Sequence, residues 1–156
     1  MILTLAIECV RGAYLKETCT RVIEIDERAS LYDLHDAIQE AFDFGRDHPF
    51  DFFLANTSSR YAVKKRLTEK EEWDDREHDF FQIRLNNIWP TGRKKLYYLF
   101  DFGDKWTFEI RRKRGTIEPE SGGTYPRLIE TISPTPVKKW GHILFCELKY
   151  GTVSPH

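Results

Sequence analysis

Leu3, Leu5, Ile7 and Cys9 alternate with smaller or polar residues, which predicts a strand over 2–10 with one buried face. Arg21 to Asp26 (RVIEID) reads as a second strand, its β-branched residues suiting a half-buried pleated surface. The intervening 11–19 is long enough for an antiparallel pair. The period then changes. Leu31, Leu34, Ile38, Ala41 and Phe42 form one stripe at helical spacing, while Asp33, Asp36, Gln39 and Glu40 are expected to face water. Ser30 is a good N-cap and Asp33 completes a capping-box pair, so a helix is predicted over 30–42, with Gly45 placed to stop it. His35 sits at the edge of the apolar stripe.

Beyond the helix, Phe50 to Leu54 reads as a short aromatic strand and Asn56 to Ser59 as a turn. Thr68 to Asp79 carries seven acidic residues against two basic ones and reads as a solvated connection, with His78 inside it. Phe81, Ile83 and Leu85 alternate again, which predicts another strand before a turn at Trp89-Pro90-Thr91-Gly92. After Gly115 the chain turns through Pro119, Gly122, Gly123 and Pro126. A final strand is expected at His142 to Leu148.

The run LYYLFDFGDKWTF, Leu96 to Phe108, is the most distinctive. Leu96, Tyr98 and Phe100 share one face of a strand; Trp106, Phe108 and Ile110 share one face of the next. A two-residue Gly103-Asp104 loop would put these triplets on opposite faces. A three-residue loop (Phe102, Gly103, Asp104) sets Phe100 opposite Trp106 and brings all six together, because a one-residue slip inverts every side chain. The three-residue register is therefore expected. Tyr97 and Leu99 make the other face apolar too, which suits a central strand. Two strands, a helix, then several strands indicate an α+β domain covering 1–156, with a mixed, mostly antiparallel sheet and the main helix across one face. A ubiquitin-like roll is one such arrangement.

Composition adds exclusions. Among 156 residues a formal charge of −1 leaves no global field to hold nucleic acid or an anionic membrane. No apolar run approaches the roughly 20 residues of a membrane helix. Cys9, Cys19 and Cys146 are odd in number, with no C-x-x-C pair, which argues against a disulfide framework or zinc site and fits a reducing cytoplasm.

These residues resemble the plasmid pRiA4b ORF-3-like family, uncharacterised proteins found on plasmids and in transposon-associated genes. Its Y-x-Y-D-F-G-D-x-W-x-H-x-I run corresponds to Tyr98 through Ile110. Its L-x-x-L-H-x-x-I-Q-x-x-F helix is matched by Leu31, Leu34, His35, Ile38, Gln39 and Phe42. Phe44, His48, Phe50 and Phe52 occupy the W-x-x-x-H-L-H-x-F places, and Tyr125-Pro126-Arg127 looks like the Y-P-R element. The resemblance covers roughly residues 1–130. Two family histidines are Phe50 and Phe108 here, and the acidic, glycine-rich P-P-E-D-x-G-G segment is not visible. A site built on those groups would be lost in this member, and the paired change suggests that both positions share one dry environment.

Candidate chemistry is sparse. Asp101-Phe102-Gly103 spells the kinase magnesium triplet, but no Gly-rich loop, strand lysine or catalytic-loop Asp and Asn accompany it. It reads better as a hairpin turn. Asp101 and Asp104 flank that turn beside Trp106, where two carboxylates could serve a cation or acid–base chemistry, or simply cap backbone N–H groups. His35 and His48, near the helix end with Asp47, could join a metal site, but they lack metal-ligand spacing and read more readily as structural histidines. Basic clusters occur at Lys64-Lys65-Arg66, Arg93-Lys94-Lys95, Arg111 to Arg114 and Lys138-Lys139. Nothing in the sequence implies a cofactor.

The expected function is therefore a cytoplasmic binding or interaction module with a protein or small-molecule partner and no membrane. Its expected cleft is rimmed by Asp101, Asp104, Trp106 and Tyr98, with His35 and His48 from the helix side. The alternative is a nucleic-acid-binding accessory protein of a mobile element using Arg111, Lys113, Lys94 and Lys95. A metal-dependent enzyme comes third.

Overall fold

The computed structural model describes residues 1–13, 15, 18–45, 48–59, 61–67 and 80–132. The expected final strand at 142–148, the acidic connection with His78, Asp47, Lys138, Lys139 and Cys146 all lie outside those residues.

The first two predicted strands form an antiparallel pair, β1 (Ile2–Arg11) and β2 (Cys19–Asp26), with Leu5 opposite Ile23 and Cys9 opposite Cys19. Ten residues apart in sequence, the two thiols are thus cross-strand neighbours, both buried and free. Burial raises the Cys9 pKa, whereas the hydrogen bond from its partner lowers that of Cys19. Helix α1 (Leu31–Ala41) follows, its Ser30 Oγ accepting from the Asp33 N–H while the Asp33 carboxylate accepts from the Ser30 N–H. Leu31, Leu34 and Ile38 are wholly buried, each worth roughly 1.5–3 kcal/mol of transfer free energy.

The helix ends before Gly45. Asp43 adopts φ 57°, its N–H donates to the Glu40 carbonyl, and the Phe44 N–H donates to that of Gln39. This is a Schellman closure with Asp43 in the left-handed place. It turns Phe44 back into the core, against Phe100, Trp106 and Phe108.

The remaining strands are β3 (Phe50–Ala55), β4 (Lys65–Arg66), β5 (Lys95–Phe100), β6 (Trp106–Arg112) and β7 (Arg127–Ile132). They complete a seven-stranded sheet in the order β4-β3-β5-β6-β1-β2-β7. Every pairing among the described strands is antiparallel, so the sheet shows no parallel component there. The class is α+β, with α1 packed on one face and β5 in the interior of the sheet. A second apolar cluster, built on Phe53, Ala55 and Tyr97, occupies the opposite face.

Three local readings change. Phe81, Ile83 and Leu85 do not form a strand. Residues 80–82 are helical, and 85–87 make a 3₁₀ turn. The chain there bonds to the segment entering α1, Leu31 N–H donating to the Ile83 carbonyl and Leu85 N–H to that of Ala29. Phe80 is buried instead of Phe81, which is 48% exposed and stacks on Tyr32. Strand β7 escapes the sequence reading because a register shift between Val22 and Ile23 breaks its alternation. Arg21 faces the core, because it opposes Ile7, and its guanidinium lies 5.0 Å over the Phe42 ring.

Candidate functional site

The hairpin joining β5 and β6 has the expected register, Phe100 opposite Trp106 and Tyr98 opposite Phe108. Asp101 and Lys105 both take positive φ, 63° and 55°. The Lys105 N–H donates to the Asp101 carbonyl at 2.6 Å, and Asp101 Oδ1 accepts from the N–H groups of Gly103 (3.1 Å) and Asp104 (3.3 Å). One carboxylate oxygen therefore organises the turn. The other lies 3.6 Å from Nε2 of His48, whose ring stands edge-on to Phe100.

The expected cleft does not assemble around that turn. Tyr98 and Trp106 are wholly buried, because both point to the helix side of an interior strand pair. His35 is buried too: its ring stacks on Phe50 at 3.6 Å, and Nδ1 lies 2.7 Å from the Tyr98 hydroxyl. Gln39, expected to face water, is wholly buried instead, because its Nε2 donates to the same hydroxyl at 2.8 Å. The hydroxyl's own proton is then free for Nδ1, which places the proton of a neutral imidazole on Nε2. His35 thus belongs to a core network and His48 to the surface beside the turn. Phe50 and Phe108, which replace family histidines, both pack against Tyr98, with ring centroids 6.0 and 5.7 Å away. Among the described residues no group of three His, Cys, Asp or Glu is arranged to hold a metal.

Removing the Tyr98 hydroxyl tests this network. Tyr98→Phe takes a buried partner from both His35 and Gln39 and is expected to destabilise the fold by about 1–2 kcal/mol. Urea unfolding should show a lower midpoint at unchanged slope; an unmoved midpoint would mean that the hydroxyl contributes nothing.

The cations proposed for nucleic acid divide in two. Arg111 is 2.9 Å from Glu8 and 3.5 Å from Glu109, and Lys95 is 3.6 Å from Glu109. Glu109 also accepts from Tyr97, whose pKa burial and that carboxylate push up to about 12. These charges neutralise one another across β1, β6 and β5. Lys94 lies in the turn before β5, and Lys113 continues β6, its N–H donating to the Thr4 carbonyl.

A different arrangement appears where the turn meets the sheet face opposite α1. A groove of about 430 Å³ runs between the hairpin turn, the end of β1 and the segment after β3. Arg11, Lys64 and Lys105 line it, with Asp104, Ser58 and Ser59, over Phe53 and Leu99. Among the described residues none of the three cations makes an ion pair within 4 Å; Lys64 Nζ stands 4.8 Å over the Phe53 ring and acts on the Asp51 carboxyl at longer range. A smaller hollow of about 320 Å³ between α1 and β7 lacks this property, since Arg127 there is bridged to Glu24 (2.8 Å) and Glu120 (3.1 Å). Of the expected site residues only Asp104 reaches the larger groove. Lys64 belonged to a visible basic cluster, but no linear signal joins it to Arg11 and Lys105; the β1–β6 and β3–β5 pairings do.

Comparison with known proteins gives a consistent picture. The Uncharacterized protein y4hQ of Sinorhizobium fredii is 29% identical over 119 residues, covering 73% of this chain and 57% of the relative, so the match spans little more than half of that protein's length. A crystal structure of a protein of unknown function, MM3350 from Methanosarcina mazei Go1, superposes with a TM-score of 0.64 over 99% of this chain and 83% of the other. At 20% identity that likeness speaks to the fold alone. The model of the Plasmid pRiA4b ORF-3-like protein family matches residues 9–144, most of the chain and the whole β1-to-β7 sheet except the first residues of β1, and the chain belongs to that family.

Proposed function

We propose that this chain is a binding module which takes an anionic ligand in the groove beneath the β5–β6 turn. The carrying observation is that, among the described residues, Arg11, Lys64 and Lys105 line one groove without an ion pair within 4 Å, Asp51 acting on Lys64 only at longer range. Elsewhere on the same sheet face Arg111 and Lys95 are matched to carboxylates. Three cations around one concavity outnumber the single carboxylate that lines it and repel one another, and an anion entering it relieves that repulsion. We place the module in the cytoplasm on its buried free thiols, Cys9 and Cys19. No described helix is long and apolar enough to cross a membrane.

Calorimetric titration with inorganic pyrophosphate tests the reading. Lys64→Ala with Lys105→Ala should weaken binding at least tenfold and flatten its dependence on salt; equal affinity and an equal salt slope would overturn it. The nucleic-acid reading through Arg111, Lys113, Lys94 and Lys95 is less favoured. Its central cation, Arg111, already has two carboxylate partners.

A further inference from the structure

The groove's charge, size and floor together narrow the ligand, given that it binds an anion at all. Among the residues that line the groove, Arg11, Lys64 and Lys105 against Asp104 leave a charge of +2, three cations less one carboxylate, with the half-buried Asp51 outside the lining and its carboxyl pKa raised by burial. That matches a phosphate monoester, which carries about −1.5 to −2 at neutral pH. The volume of about 430 Å³ far exceeds a bare phosphate and lies within the range of small-molecule sites, about 300–1,000 Å³.

Its floor is apolar. Phe53 stacks on Tyr97 with centroids 5.5 Å apart, and Leu99 packs against the same cluster. Lys64 is held over Phe53 by its ring contact, which sets an ammonium beside that floor. Among the described residues the turn N–H groups donate to the Asp101 carboxylate and not to that of Asp104, which can accept from hydroxyl or amino groups of a ligand. Its backbone is fixed, the Ala13 N–H donating to its carbonyl at 2.9 Å.

We propose that the groove binds a nucleoside monophosphate, phosphate among Arg11, Lys64 and Lys105, ring over Leu99 and Phe53, with Asp104 accepting from sugar or base. A polynucleotide fits less well. Leaving the groove along β6 it would meet Glu109 and Glu8 already paired with Arg111 and Lys95, a patch of the same sheet face whose charges cancel and which, among the described residues, offers its next phosphates no unpaired cation.

The experiment is a calorimetric titration of the full chain with adenosine 5′-monophosphate, adenosine, inorganic phosphate and a ten-nucleotide oligothymidylate. The monophosphate should bind at least tenfold tighter than either adenosine or phosphate. Lys64→Ala, an exposed position, should weaken it about tenfold without moving the thermal melt. Leu99→Ala should weaken the monophosphate but not inorganic phosphate. If phosphate binds as tightly as the monophosphate and both respond to Lys64→Ala, the nucleoside part of this inference falls while the anion reading stands. Tighter binding of the oligothymidylate than of the monophosphate overturns it in favour of a polymer. If no probe binds, or none responds to Lys64→Ala, both readings fall.

Discussion

Replacing Trp106 with alanine is expected to destabilise the fold by about 3–5 kcal/mol, the range for deleting a large aromatic from a packed core. The indole has no exposed surface. It lies opposite Phe100 across the hairpin, with Phe44 at 6.1 Å and the Gly12 backbone against its six-membered ring. The indole N–H meets no acceptor among the described residues, which takes something from its net contribution. Trp106→Phe, which keeps a ring and removes that N–H, should therefore cost clearly less than the alanine variant. Equilibrium urea unfolding measures both. A loss below about 1 kcal/mol for Trp106→Ala would mean that the indole stands at the surface, as a ligand platform would.

Most of the framework was legible because the chemistry that sets it is local. The capping box of Ser30 and Asp33, the stripe Leu31, Leu34 and Ile38, and the inverted-face argument for the hairpin each use residues of one short segment, the longest running from Leu96 to Ile110. What was not legible depends on partners distant in the chain. Arg21 is in the sequence only the charged first residue of a predicted strand, and pairing with Ile7 turns it inward. Strand β7 lies at the sheet edge, where little burial is demanded of it and a bulge disturbs its period. Phe81 alternates with Ile83 and Leu85 as a strand would, yet the main-chain bonds of this segment to Ala29 and Leu31 leave it outside the sheet.

The candidate site shows the same division more sharply. Asp101 and Asp104 were singled out together because they flank one turn, but their roles differ. Asp101 spends one oxygen on the turn's own N–H groups, whereas Asp104 lines a groove on the far face. Tyr98, Trp106 and His35 carry polar atoms that draw attention in a sequence, and all three are interior. The cations of the groove come from three separate segments, and that they have no ion pair among the described residues shows only once their surroundings are known.

Gly12 supplies the second large effect, and a sequence reading passes over it as one glycine in a connecting loop. A Cβ built there would overlap Cε3 of Trp106 and stand 2.5 Å from Cζ3. The register shift in β1 between Cys9 and Arg11 brings the backbone down onto the indole, and the Ala13 N–H then anchors it to the Asp104 carbonyl. The obstruction is space, so the missing side chain is what the position requires. An indole enclosed on all sides cannot swing away, and Gly12→Ala is expected to cost about 3 kcal/mol, the upper part of the range for overpacking. A double-mutant cycle isolates the cause. Trp106→Leu shortens the side chain that the new methyl strikes, so Gly12→Ala should cost at least about 1 kcal/mol less in that background than in the native one. Strict additivity would show that the glycine and the indole do not share this contact. Coupling would show that the bulge, the glycine and the tryptophan form one unit, and that unit also fixes the wall of the groove where Arg11 stands.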